Sequence, residues 1–171
     1  MKPQLSTHSP NSTFSNALAA IALTALGASS VWADTLSHSV EVKGAPSAVW
    51  SAIGPFCAIK DWLPPVGTCS EDDKLPATRT LVTKDGKATF VEVQTMRSDA
   101  EYSYSYAFKA SPLPVSGYLS TLKVSPSRQG NSLVTWTGTY TPAAGKEKDA
   151  IEALSAIYAA GMASIKMKFG S

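Results

Sequence analysis

The sequence is poor in the groups that most enzymes use. It holds two histidines in 171 residues, and one of these, His8, falls in a start that reads as a leader. That leaves His38 as the one imidazole of the remaining chain, so a Ser-His-Asp or Cys-His arrangement depends on where that strand residue lies. An ordinary strand residue is the simpler account of it. No Gly-rich phosphate loop, metal-ligand spacing or dinucleotide fingerprint is present, and no cofactor is implied. The acidic turn Glu71-Asp72-Asp73-Lys74 has no second ligand cluster and reads as solvated. Charge is nearly balanced, with 15 Lys and Arg against 13 Asp and Glu and a net +2, so nothing electrostatic points to nucleic acid or anionic lipid. Heptads, solenoid-period repeats and low-complexity segments are absent. Beyond the first residues no run is long and apolar enough to cross a membrane.

Lys2 and a polar run to Asn16 precede an apolar run, Ala17 to Leu26, that is short for a bilayer. Val31-Trp32-Ala33 then offers a cleavage point. The pattern predicts a secretory signal over 1–33 cut after Ala33, leaving one domain over 34–171 that is periplasmic or secreted. An uncleaved anchor is the alternative. Without Lys2 the net charge falls to about +1. Cys57 and Cys69 are the only cysteines. In an exported chain they point to one disulfide closing a loop worth about 3 kcal/mol, with two separate buried thiols as the alternative.

What is present is mostly β-pattern. Leu36 to Lys43 alternates as a first strand. Pro46 opens a short helix to Ile53, Gly54-Pro55 stops it, and a second short helix from Phe56 ends at Pro64-Pro65. Val66–Glu71, 77–84, 87–97, 102–108, 118–125 and 132–140 are predicted strands. Asp85-Gly86 joins two of them in a tight hairpin, which sets Lys84 opposite Lys87, Leu81 opposite Phe90 and Arg79 opposite Glu92. Gln94 and Met96 extend that face by alternation. An opposed Arg–Glu pair beside Leu and Phe is either a surface ion pair worth under about 1 kcal/mol or a charged pair in a wet cavity. Tyr102, Tyr104, Tyr106 and Phe108 give the next strand an aromatic face whose phenols each need a partner. In the last strand Val134, Trp136 and Tyr140 face the interior, or Thr135, Thr137 and Thr139 take their place.

The chain ends in a predicted helix over 146–169. Ile151, Leu154, Tyr158, Met162 and Ile165 recur at steps of three and four, and Ile157, Gly161 and Phe169 widen the stripe. Acidic residues start it and Lys166 and Lys168 end it, which suits the helix dipole. Burying such a stripe is worth about 8–15 kcal/mol before entropy, and the surface it lies on is the sheet. The small residues Ala159, Ala160, Gly161, Ala163 and Ser164 either bring helix and sheet close or leave a gap between them.

The segments 42–50, Phe56-Cys57-Ala58-Ile59-Lys60-Asp61-Trp62, Arg79-Thr80-Leu81, Val91-Glu92-Val93, Tyr104-Ser105-Tyr106, 112–118 and Thr135-Trp136 together resemble the START-like (SRPBCC, polyketide cyclase/dehydrase-like) superfamily. Within it, the Phe-Cys…Asp-Trp segment is similar to MxaD-like periplasmic proteins associated with methanol oxidation. The resemblance implies an α+β helix-grip fold: a curved antiparallel sheet of about seven strands around the C-terminal helix, with two short helices after strand one. It also implies a cavity for a small hydrophobic molecule. In related plant hormone receptors the counterpart of Glu92 points into that cavity, as do residues matching Tyr106, Leu113, Val115, Tyr118 and Ser120. On this basis Arg79 and Glu92 hold the polar end of a ligand. Leu81, Phe90, Tyr104, Trp136, Tyr158 and Met162 join the others around its apolar body. Arg79 is expected to keep Glu92 ionised with a lowered pKa, which suits an anchor more than a base. The expected role is a non-catalytic binding or accessory protein, with a periplasmic dehydrogenase or cytochrome as a partner. The alternative is a cyclase or dehydratase using Glu92 and the cavity tyrosines.

Overall fold

The computed structural model describes Met1 and residues 33–170. The expected signal therefore lies almost wholly outside the described residues. Strand β1 spans Asp34–Val42 and helix α1 Pro46–Ile53; a single 3-10 turn, Phe56–Ala58, leads into α2, Ile59–Trp62. The strands β2 Val66–Glu71, β3 Thr78–Thr83, β4 Thr89–Ser98, β5 Ser103–Ala110, β6 Val115–Pro126 and β7 Ser132–Pro142 follow, and then helix α3, Glu147–Phe169. All strand pairings are antiparallel, in one seven-stranded sheet of order β1-β7-β6-β5-β4-β3-β2. This is the helix-grip arrangement, with α3 laid on the inner face of the sheet. Among the described residues no helix is long and apolar enough to cross a membrane.

The helical insert seals one end of the core. Trp50, Ile53, Phe56, Ile59 and Trp62 are all buried. Trp50 also donates its indole N–H to Asp99 at 2.9 Å, and Arg97 Nη1 donates to the Gly54 carbonyl at 2.8 Å. These bonds tie the insert to the far end of β4. Cys57 and Cys69 form a disulfide, which fixes the 3-10 turn to β2.

In β7 the inward set is Ser132, Val134, Trp136, Gly138 and Tyr140, and the threonines between them face outward. In the hairpin Leu81 faces Phe90 and Arg79 faces Glu92, as expected. The turn is wider than two residues, because β3 stops at Thr83 and β4 starts at Thr89. Asp85 accepts from the Thr83 hydroxyl and the Lys87 amide, and this side-chain turn replaces a Lys84–Lys87 rung. Two further expectations need correction. Met96 is exposed, because the register shifts between Gln94 and Met96 and the bulge rotates it off the inner face. Ile151 is 38% exposed while its neighbour Ala150 is fully buried, so the first turn of α3 meets the sheet through its smaller residue.

The stretch of small residues in α3 brings helix and sheet together. A Cβ on Gly161 would sit 2.9 Å from the Trp136 ring, 3.1 Å from the Trp62 ring and 3.3 Å from Leu63. The two indoles meet edge to face, 5.4 Å apart. Gly161→Val is expected to cost about 1–3 kcal/mol by overpacking, read as a lower urea midpoint. An unchanged midpoint would mean the rings yield. The room that remains lies on the other side of Trp136, under the N-terminal half of α3.

Candidate functional site

A cavity of about 110 Å³ opens there, lined by Ile59, Leu63, Pro65, Val66, Leu81, Thr83, Ala88, Phe90, Glu92, Tyr106, Phe108, Tyr118, Trp136, Leu154 and Ile157. Its floor is made of the buried Leu81, Glu92, Tyr106, Tyr118, Trp136 and Leu154, whereas Thr83, Ala88, Phe90, Phe108 and Ile157 are half-buried and Pro65 is exposed. The mouth therefore lies between the β3–β4 turn, the turn before β2 and α3. Strand alternation explains the wall: Leu81, Phe90, Glu92, Tyr106 and Tyr118 all lie on the inward side of their strands, with Leu81 and Phe90 opposite each other on one rung. Phe108 stacks on Tyr118 with ring centres 3.9 Å apart and meets Phe90 at 5.9 Å, giving one aromatic side.

Glu92 is the only charged residue on this wall. Its Oε2 accepts from Arg79 Nε at 2.6 Å, with both side chains almost wholly buried. Arg79 also donates through Nη1 to the Phe56 carbonyl. Its guanidinium lies 4.0 Å from the centre of the Phe56 ring and 4.9 Å from that of Tyr106. So the cation is held behind the wall by its carboxylate, a carbonyl and two ring faces. Burial alone would lower the Arg79 pKa, but Glu92, with Tyr104 and Tyr106, raises it instead. Arg79 stays protonated. Burial pushes the Glu92 carboxyl above its ordinary value, and the guanidinium opposes that shift without cancelling it. This corrects the expectation of a lowered pKa: loss of water outweighs the partner's charge.

Behind the wall runs a chain of hydroxyls. Ser120 donates to the Thr137 carbonyl at 2.7 Å and accepts from the Trp136 indole N–H at 2.8 Å. Its single proton is thus spent, so Tyr158 is the donor in the 2.8 Å Tyr158–Ser120 bond. By the same accounting Tyr118 donates to Tyr158 at 2.7 Å and Tyr106 to Tyr118 at 3.3 Å. Tyr158 stacks flat on Trp136, 4.0 Å away, and its hydroxyl fills the space that a side chain at Gly138 would occupy. Burial raises Tyr106 and Tyr118 well above the ordinary phenol value and pushes Tyr158 up to about 12. The phenols therefore remain protonated at any ordinary pH.

Of the residues placed at a site from sequence, Leu81, Phe90, Glu92, Tyr106, Tyr118 and Trp136 come together on this wall. Arg79, Ser120 and Tyr158 sit one layer behind it, in the ion pair and the hydroxyl chain. Tyr104 packs on Phe56 and Trp50, further from the cavity. Met162 is buried one turn beyond Tyr158, Leu113 is half-buried, and Val115 borders an adjoining surface groove with Ser111 and Gly117, whose lining shares Phe108 and Tyr118 with the cavity. His38 is off the wall, 3.3 Å from the Ser155 hydroxyl. Sequence reasoning passed over Ile59, Leu154, Ile157 and Phe108 as wall residues, although all four carry the apolar period that marks the inner face. Thr83, Ala88 and Pro65 carried no such signal.

Comparison with known proteins finds the same architecture. The chain is similar to the solved structure of the protein XoxI from Bacillus cereus, at 34% identity over 79% of this chain and 94% of that one, with a TM-score of 0.74. It is also similar to an uncharacterised protein from Bacillus thuringiensis, at 32% identity over 81% and 100% of the two chains, with a TM-score of 0.75. The Zhui aromatase/cyclase of a Streptomyces species shares the fold at 15% identity, over 80% and 93% of the two chains, with a TM-score of 0.65. A comparison with curated proteins finds no match. The family model described as polyketide cyclase / dehydrase and lipid transport matches residues 33–170, which is the whole described domain, and the chain belongs to that family.

Proposed function

We propose that residues 34–171 form an exported, non-catalytic binding protein that holds a small hydrophobic molecule under α3. The observation that carries this reading is the apolar cavity of about 110 Å³ with a single ion-paired carboxylate on its wall. Secretion fits the leader pattern of 1–33 and the Cys57–Cys69 bridge. In this reading the protein assists an exported dehydrogenase or cytochrome, such as one of methanol oxidation, a placement supported by the MxaD-like Phe56 to Trp62 segment. The hydroxyl chain suits binding more than proton transfer, because each of its protons already has an acceptor.

Ala88 sits at the mouth, half-buried, so Ala88→Trp should plug the cavity without opening the core. The expected result is that toluene shifts the Trp136 indole N–H resonance in the native protein, and that the variant weakens this binding at least ten-fold. No shift in either protein would end the container reading. A second reading, a cyclase or dehydratase, draws on the raised Glu92 carboxyl beside Tyr106. It predicts turnover that is lost in Glu92→Gln with circular dichroism unchanged.

A further inference from the structure

From the free hydrogen-bonding positions of the cavity we infer that its ligand is an uncharged, benzene-sized molecule carrying one hydrogen-bond donor, such as a phenol or a short alcohol. This rests on the container reading and sharpens it. Size is the first constraint. An apolar engineered cavity of roughly 150 Å³ takes up benzene, and about 110 Å³ is smaller, so a single small ring is the most its enclosed part holds, short of a lipid chain or a fused polyketide.

Polarity is the second constraint. The proton order of the hydroxyl chain is fixed at its far end by the Thr137 carbonyl, so the two phenols on the wall, Tyr106 and Tyr118, have their protons committed. The Trp136 N–H is shared between Ser120 and Tyr106. Arg79 is not on the wall, and its Nη2, a donor without a partner among the described residues, is buried behind it. The carboxylate accepts from Arg79 Nε through Oε2, and among the described residues no hydrogen bond reaches Oε1. Among the described residues the wall thus presents acceptors and no free donor. A carboxylate or a ketone would enter without a hydrogen bond, and a carboxylate would also face Glu92 directly. A hydroxyl would donate to Oε1. A cationic amine gains little over it, because Arg79 already balances the charge of Glu92.

The test is a titration of the full mature protein with phenol, toluene, benzoate and decanoate, followed through the Trp136 indole N–H resonance. Phenol is expected to bind at least ten-fold more tightly than toluene, and benzoate and decanoate are expected not to bind. In the double variant Arg79→Met/Glu92→Leu, phenol should lose that preference while toluene still binds. Toluene binding as well as phenol, or benzoate or decanoate binding more tightly than phenol, would overturn the donor-ligand assignment and leave the container standing. Failure of all four probes would overturn both. A preference for phenol that survives in the double variant would show that Glu92 is not the acceptor.

Discussion

Arg79→Met is expected to destabilise the protein by about 3–5 kcal/mol, and Glu92→Leu by a similar amount, because each leaves its partner's charge buried without compensation. The double variant should cost less than either single change. The Phe56 carbonyl then loses its donor, a residual of about 1–3 kcal/mol for an unsatisfied buried acceptor. A double-mutant cycle in urea reads this coupling directly. The two single variants should also differ in their response to pH. Burial holds the Glu92 carboxyl above its ordinary value of 4.5, so the folded state binds a proton there more tightly than the unfolded chain does. Stability from this group is therefore fully present below the unfolded value and is lost as pH rises through the folded one. Without Arg79 the upward shift grows, and the Arg79→Met variant should regain stability on mild acidification. Glu92→Leu should not, since a guanidinium cannot shed its proton in that range. Single changes that each cost under about 1 kcal/mol and simply add would mean that the pair is solvated.

That pair marks where the sequence could be read and where it could not. Asp85-Gly86 and alternation were enough to set Arg79 opposite Glu92 and Leu81 opposite Phe90, because a turn fixes register and register fixes faces. Burial is a different quantity. It depends on Phe56 from the insert and on Tyr104 and Tyr106 two strands away closing over the guanidinium, so the sign of the Glu92 shift was out of reach. Met96 failed for a related reason: the bulge after Gln94 is a backbone event that no residue type announces. In α3 the period identified Leu154, Tyr158, Met162 and Ile165 as buried, and all four are. It missed the exchange of Ile151 for Ala150, which is set by how the first turn approaches β1. The location of the cavity followed from one contact, Gly161 against two indoles. That contact closes the C-terminal half of the helix onto the sheet and leaves the open volume beside Leu154 and Ile157. Small residues in a helix announce either outcome, and the partner ring decides between them.

Removing the Cys57–Cys69 bridge should have the other large effect. The two Cα atoms are 5.6 Å apart and 12 positions apart in sequence. Opening so short a loop in the unfolded chain costs the fold about 3 kcal/mol, or about 10 °C in thermal midpoint for a domain of this size. The consequence should extend past stability. Cys57 follows Phe56, whose carbonyl and ring hold the Arg79 guanidinium in place, and Ile59, two residues on, is part of the cavity wall. A looser 3-10 turn therefore loosens the ion pair and the wall together. Cys57→Ser/Cys69→Ser and Arg79→Met should then be less than additive, because each already releases part of what the other would. The same double serine variant should bind toluene more weakly than the native protein at a temperature where both are folded. A thermal midpoint within about 2 °C of the native value would show that the insert is held by Trp50, Ile53 and Trp62 alone, with the bridge redundant. Strict additivity with Arg79→Met would show that the bridge stabilises the fold without positioning Phe56.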